Sequence, residues 1–230
     1  MAKDQQQPGS RPYVVQQIPL QSYHAQQVFK RGFEIYSRSI YSLSVVLRAT
    51  TDEEKIRMIE GVIDEKLNNS NEDLRKEIEQ LRKVAEDNGI TLGKVDYSNP
   101  GTVEAKISSH RAARYVNLIR EYDSLIASLD ALWLSGMIPD RDYSQKIYEW
   151  KRRILRIATH VTGVVRQLAA ESRKKEVEEK TEEQTGKLLT SDADPVPVKT
   201  EEMKRNDQIP ALSEKPESSS RRGIASLMSW

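Results

Sequence analysis

The chain has 230 residues, a formal net charge of +1, 31% charged and 37% hydrophobic residues, and no cysteine. The missing cysteines exclude disulfides, thiolate nucleophiles and cysteine-ligated zinc, and fit a reducing compartment. No run approaches the roughly 18 apolar residues of a membrane span, and Met1–Gln7 lacks the apolar stretch of a secretory signal, so the expected location is the cytoplasm with no membrane partner.

In chain order, residues 1–11 read as a flexible polar arm. Pro12–Leu20 (PYVVQQIPL) follows as a short strand, because Tyr13, Val14, Val15 and Ile18 favour extended backbone and Pro19 stops the ladder on one side. An apolar stripe at helical spacing then runs from Ser22 to Leu47, weakened by Gly32. Thr51 and Glu54 have capping-box spacing, and Ile56, Ile59, Val62, Ile63 and Leu67 mark the buried side of a second helix. The run Asn68-Asn69-Ser70-Asn71 predicts a break there. Beyond it Leu74, Ile78, Leu81 and Ala85 predict an inserted, largely charged helix over 70–88 that ends at Asn88-Gly89.

Gly93, Asn99, Pro100 and Gly101 predict a loop. Thr102–Ser108 (TVEAKIS) alternates as a half-buried strand should, with Val103, Ala105 and Ile107 on one face and Glu104, Lys106 and Ser108 on the other. A long helix to about Leu134 and another after Pro139 complete the domain. The latter has Ile147, Trp150, Ile154, Ile157, Val161, Val164, Val165 and Leu168 on its apolar side. Residues 171–230, rich in Lys, Glu, Ser, Thr and Pro, read as a disordered tail.

Two stretches 86 residues apart read alike. Ser22, His24, Phe29, Phe33, Tyr36, Ile40, Leu43, Val46 and Leu47 fall on Ser108, His110, Tyr115, Ile119, Tyr122, Ile126, Leu129, Leu132 and Trp133. The fold class that follows is mainly α with a short β-ribbon, in which two β-α-α units (12–68 and 102–170) pack on each other because neither can bury its apolar face alone. The register that aligns the helices misaligns the strands by one residue, so a bulge near Pro19 is expected. The two repeat-bearing segments are basic: residues 1–50 and 101–170 each carry a net +4, whereas 51–100 carry −5. That distribution permits a nucleic-acid face.

The region from Val103 through Val161, above all LIREYDSLIASLDALWLSGMIPDRDYSQKIYEWKRRI, resembles the AcaB family of transcriptional regulators of conjugative plasmids and integrative elements. The stretch LQSYHAQQVF from Leu20 to Phe29 is similar to the family's N-terminal part. The resemblance spans about residues 12 to 170 and implies a ribbon-helix-helix DNA-binding fold that activates transcription of conjugation genes. Its partner would be double-stranded promoter or operator DNA, with the protein associated with the nucleoid.

In such a fold the outward side chains of a two-stranded ribbon read base edges in the major groove. Lys106 can donate to guanine, Glu104 can accept from cytosine, Ser108 can serve base or phosphate, and Gln17 can pair with adenine beside Tyr13. Gln16 would point inward. Phosphate contacts are expected from Thr50 and Thr51 at a helix start and from Arg11, Arg48, Arg111 and Arg114. The competing interpretation of TVEAKIS is an ordinary half-exposed edge strand. The competing function is a helical scaffold or adaptor in a conjugation or partition complex, without sequence-specific DNA binding.

The histidines His24, His110 and His160 have no metal spacing, and there is no glycine-rich phosphate loop or nucleophile elbow. No enzyme activity, cofactor or metal is expected. The terminal RRGIASLMSW (Arg221–Trp230) could dock as an amphipathic peptide on a partner such as RNA polymerase. The ribbon could close within one chain or between two, the latter giving a homodimer.

Overall fold

The structure is a computed structural model that describes residues 11–89 and 95–189. It is mainly helical with one two-stranded antiparallel sheet. Two compact units divide the chain at Arg173/Lys174, and all packing below lies within the first; the described part of the second is a stretch of helix to Leu189.

Strand β1 (Val14–Leu20) pairs with β2 (Gly101–Ile107) in the same chain, from Val14 opposite Ile107 to Leu20 opposite Gly101. Ile18, Leu20 and Ala105 are buried on the inward face. Gln16 shares their parity but is exposed, as is Val14, so the start of β1 overhangs the core. The ladder is continuous, with Pro19 opposite Thr102. The bulge expected near Pro19 is therefore absent from it.

The extra residue sits in the helix instead. After α1 (Tyr23–Val28) the chain makes a π turn (Phe29–Phe33), then α2 (Glu34–Tyr41), a second π turn (Ser42–Val46) and a 3₁₀ turn (Leu47–Ala49). A π turn accommodates one inserted residue in a helix without losing the helix axis. The matches across the two helices record each insertion. Ser22 and Ser109, the N-caps of α1 and α4 (His110–Leu134), are 87 residues apart. Buried Tyr36 and Tyr122, beyond the first π turn, are 86 apart; buried Leu47 and Leu132, beyond the second, are 85 apart. The sequence pairing of Ser22 with Ser108 and of Leu47 with Trp133 is corrected accordingly. At the first π turn the helix passes so close to α4 that a methyl group on Gly32 would lie 2.6 Å from the Tyr115 hydroxyl oxygen, which accounts for a glycine in mid-helix.

The predicted break at Asn68–Asn71 does not occur: α3 runs unbroken from Glu53 to Asp87. Leu67, Ser70 and Leu74 are all buried, so one packed face carries straight through the asparagines and overrides their weak helix propensity. Its N-cap is Asp52, whose carboxylate accepts from the Glu54 amide at 3.1 Å, rather than Thr51. Helix α3 packs along α4, and α5 (Asp140–Leu189) buries the apolar side read from its spacing. Tyr115 and Tyr122 donate to the carbonyls of Ile154 and Ile147 on α5, each at 3.1 Å. Because α5 continues to Leu189, residues 171–189 are helical and not part of a disordered tail. Residues 1–10 of the arm and the peptide Arg221–Trp230 lie outside the described residues.

Candidate nucleic-acid interface

The outward face of the ribbon is a polar and aromatic row. Strand parity puts Tyr13, Val15 and Gln17 on one side and Thr102, Glu104 and Lys106 on the other, with Val15 opposite Lys106 and Gln17 opposite Glu104. All six are exposed. The Lys106 ammonium lies 5.5 Å from the Tyr13 ring centroid and 4.0 Å from the Glu104 carboxylate. An ion pair this long between side chains 60% and 50% exposed contributes little to stability, so both termini can exchange it for another partner.

Ser108 does not join that row. It is half-buried, and its hydroxyl lies 3.2 Å from that of Ser37 on α2, which also donates to the Lys106 carbonyl at 3.5 Å. Beside the ribbon edge a cleft of about 680 Å³ opens over Phe29 and Phe33, whose rings stack 4.8 Å apart. Four cations line it: Arg11, Lys30, Arg38 and Lys106. Arg11 also packs 5.5 Å from the Tyr41 ring. The sequence reading missed Lys30 and Arg38. The available signal was their helical spacing from Glu34 and Ser37, but only the approach of α2 to β2 brings that face to the ribbon.

The other phosphate candidates are engaged internally. Arg111, its side chain 12% exposed, makes bonds of 3.1 and 2.7 Å to Asp64 and lies 3.2 Å from Glu60. Arg114 pairs with the same Asp64 and donates to Asn68 at 2.7 Å. Burial alone would raise the Asp64 carboxyl, but the Arg111 hydrogen bond and the charges of Arg111 and Arg114 outweigh it and hold the group below the usual carboxylate range. These arginines lock α4 to α3. Sequence spacing does not reveal the carboxylates they meet. Arg48 donates to Glu60 at 2.9 Å, and the Thr51 hydroxyl lies 3.1 Å from that of Ser172, so neither stands open either. Thr50 is exposed one residue before it.

What positions the ribbon is the junction of β1 with α1. The buried Asp123 of α4 accepts from the Gln21 amide (2.8 Å), the Ser22 amide (2.8 Å) and the Ser22 hydroxyl (2.6 Å), while that same hydroxyl caps α1 by accepting from Ala25. His24, in the first turn of α1, has a buried Nδ1 without a hydrogen-bond partner, and burial followed by the charge of Lys151 pushes its pKa down. Among the described residues no cluster of His, Asp and Glu could hold a metal ion, and no helix is long and apolar enough to cross a membrane.

A solved structure of similar fold is the crystal structure of selenomethionine-containing AcaB from uropathogenic E. coli. This chain is similar to it with a TM-score of 0.68 and 34% sequence identity, over 74% of this chain and 88% of that one. Residues 58–191 match the family model described as transcriptional regulator AcaB. The chain belongs to the AcaB family of transcriptional regulators. No curated protein matches its sequence.

Proposed function

We propose that this regulator is a sequence-specific DNA-binding activator of conjugative-transfer genes, which lays its ribbon in the major groove in ribbon-helix-helix fashion. In this reading β1 with α1–α3 and β2 with α4–α5 are two half-units of one chain, so the recognition surface has no true twofold axis. The observation that carries the proposal is the exposed row Tyr13, Val15, Gln17, Thr102, Glu104 and Lys106 over a buried inner face of Ile18, Leu20 and Ala105. A ribbon with that division offers hydrogen-bonding groups to base edges and keeps its fold without them. Lys106, Glu104, Gln17 and Tyr13 are the base-contacting residues. Arg11, Lys30 and Arg38, which line the cleft beside the ribbon, contact phosphates at its flank, and Thr50 near the start of α3 contacts a further one.

The family membership supports the regulatory role and a nucleoid location. Contact with RNA polymerase through the segment after residue 170, and assembly into homodimers, extend the same reading; a pull-down with that segment deleted and light scattering test them. The central test is fluorescence anisotropy against promoter fragments of the chain's own genetic element. Tight binding that beats random duplex and weakens steeply with salt is expected. Lys106→Ala should cost about 1–3 kcal/mol of discrimination at one base pair. Equal affinity for every duplex would remove sequence specificity, and no binding at low salt would remove the DNA role.

A further inference from the structure

The cleft beside the ribbon offers more than cations. Phe29 and Phe33 lie four residues apart in the first π turn, with their rings stacked at 4.8 Å and 12°. They form its floor, 9% and 4% exposed, and Tyr13, 54% exposed, lines it from the ribbon side. The Ser37 and Ser108 hydroxyls, 3.2 Å apart, belong to the same lining. Its volume of about 680 Å³ is that of a small-ligand site, which runs from about 300 to 1,000 Å³ and is lined by aromatic side chains with a few convergent polar groups.

The charge around this lining is unequal. Four cations, Arg11, Lys30, Arg38 and Lys106, stand against two carboxylates, Glu34 and Glu104, which leaves a sum of +2. Arg38 pairs with Glu34 at 2.7 Å and Lys106 with Glu104 at 4.0 Å, all four side chains at least 50% exposed. Exposed pairs of this kind contribute little and exchange readily for a better partner. The cleft as a whole therefore favours an anion.

Duplex DNA uses only part of it. Phosphates meet the cations at the rim, but the faces of paired bases stay stacked inside the helix and cannot reach an aromatic floor. The residues before Arg11, MAKDQQQPGS, bring neither an aromatic ring nor net negative charge. The occupant that matches both floor and rim is a separate small molecule.

We propose that the cleft binds a small aromatic carboxylate. Its ring packs over Phe29 and Phe33 beside Tyr13, and its carboxylate is taken by Lys30 and by the guanidinium fork of Arg38. Those two cations are also the ones assigned to DNA phosphates, so ligand and duplex exclude each other and the ligand releases the regulator from DNA. That last step rests on the DNA-binding reading above; the ligand site does not.

The test is titration calorimetry of 2-naphthoate into the full chain at low salt. Acetate supplies the charge without the ring, and 2-naphthamide the ring without the charge. The proteins are the unaltered chain, Lys30→Glu/Arg38→Glu, Tyr13→Ala and, on α5 outside the cleft, Arg152→Glu. All four substituted residues are exposed, and circular dichroism checks folding; Lys30→Ala/Arg38→Ala serves if charge reversal disturbs it. Saturable binding that is equal in the unaltered and Arg152→Glu proteins, at least about tenfold weaker in Lys30→Glu/Arg38→Glu and weaker in Tyr13→Ala supports the site. No saturable binding to the unaltered protein, or equal binding by all four, overturns it. Acetate or 2-naphthamide binding as well as 2-naphthoate also overturns it, by removing the need for ring or charge. Binding that appears only in a chain lacking residues 2–10 makes the arm the occupant and overturns it too.

Competition then tests the regulatory step. Saturating 2-naphthoate should weaken duplex binding by the unaltered protein at least about tenfold, since both anions need the same two cations. Unchanged duplex affinity overturns the exclusion. If the unaltered protein binds 2-naphthoate but no duplex, the DNA reading of the ribbon fails while the ligand site stands.

Discussion

The chain passes twice from a ribbon strand into a long helix, and the two passages are held by different means. At the first, from Leu20 into α1, a buried carboxylate of α4, Asp123, collects three donors from Gln21 and Ser22. At the second, from Ile107 into α4, the facing residue on α2 is Ser37, which offers one hydroxyl to Ser108 at 3.2 Å and to the Lys106 carbonyl at 3.5 Å. Both helices are capped by a serine, Ser22 or Ser109. The difference lies across the interface, charged against neutral, and charge-assisted bonds are about twice as strong. The firmly held passage sets the position of the ribbon. The loosely held one lies next to Lys106, the residue assigned to base reading.

The helices after these passages differ as well, and deletions separate them most sharply. Helix α4 has α-helical bonding throughout, so removing the exposed Asn117 turns everything beyond it by about 100° and drives Tyr122, Leu125 and Leu129 out of the core. Loss of cooperative folding is the expected outcome. The π turn at Phe29–Phe33 already holds an extra residue, so removing the exposed Lys30 should return it to α-helical winding with Tyr36 and Ile40 still inward. Thermal melts by circular dichroism would show a folded protein in that case. If both deletions unfold the chain, the π turn is not where the extra residue resides.

Next in size is Asp123→Ala. It leaves the buried Ser22 hydroxyl and amide without their acceptor, at a cost of about 3 kcal/mol. For a unit of this size that lowers the melting temperature by about 6–12 °C. A shift of only 1–2 °C would mean that the ribbon is positioned by packing alone.

A pH effect distinguishes the two helix starts further. The second residue of α1 is the half-buried His24, whereas the second residue of α4 is Arg111, charged at every accessible pH and paired with Asp64. Since the His24 pKa is depressed in the folded state, the unfolded chain takes up protons that the folded chain refuses as pH falls below 6.5. Stability should decline from pH 7 toward 5, with His160, also depressed, adding to the slope. His24→Leu should flatten part of that decline. The Asp64 pair acts in the opposite group: its contribution is complete above the ordinary carboxylate value of 3.8 and is lost only as pH falls through its lowered folded value. A melting temperature flat from pH 7 to 5 in the unaltered protein would contradict the assignment to histidine.

Strand parity was legible in TVEAKIS because a period of two exposes any slip, and Glu104 and Lys106 face solvent as the alternation requires. The single-residue mismatch between the two copies was legible too, but its location was not. An insertion in a strand reverses its faces, whereas a π turn moves the apolar stripe only part of the way around the helix, so the sequence pattern stays almost intact across it. The asparagine run misled for a related reason: local propensity is a weak signal when Leu67, Ser70 and Leu74 keep one face packed. Basic residues were the least legible part. Arg111 and Arg152 look alike in sequence, and only the placement of Asp64 against one of them separates a structural arginine from an open one.

The smallest expected effect is the most informative about the loose passage. Ser37→Ala removes two neutral contacts at 3.2 and 3.5 Å from a site that stays apolar, so stability should fall by less than about 1 kcal/mol. The hydroxyl of Ser108 then has no partner across the interface and turns toward solvent, which its half-buried position allows. Nothing in the Asp123 cluster changes, so β1 keeps its place. The end of β2 loses its tie to α2, and Lys106 gains freedom to move about the Tyr13 ring. In duplex-binding measurements Ser37→Ala should therefore reduce discrimination between promoter and random DNA while its melting temperature stays within about 2–4 °C of the unaltered protein. A destabilisation as large as that of Asp123→Ala would instead make the two passages equivalent in strength and place the asymmetry of the ribbon in its side chains alone.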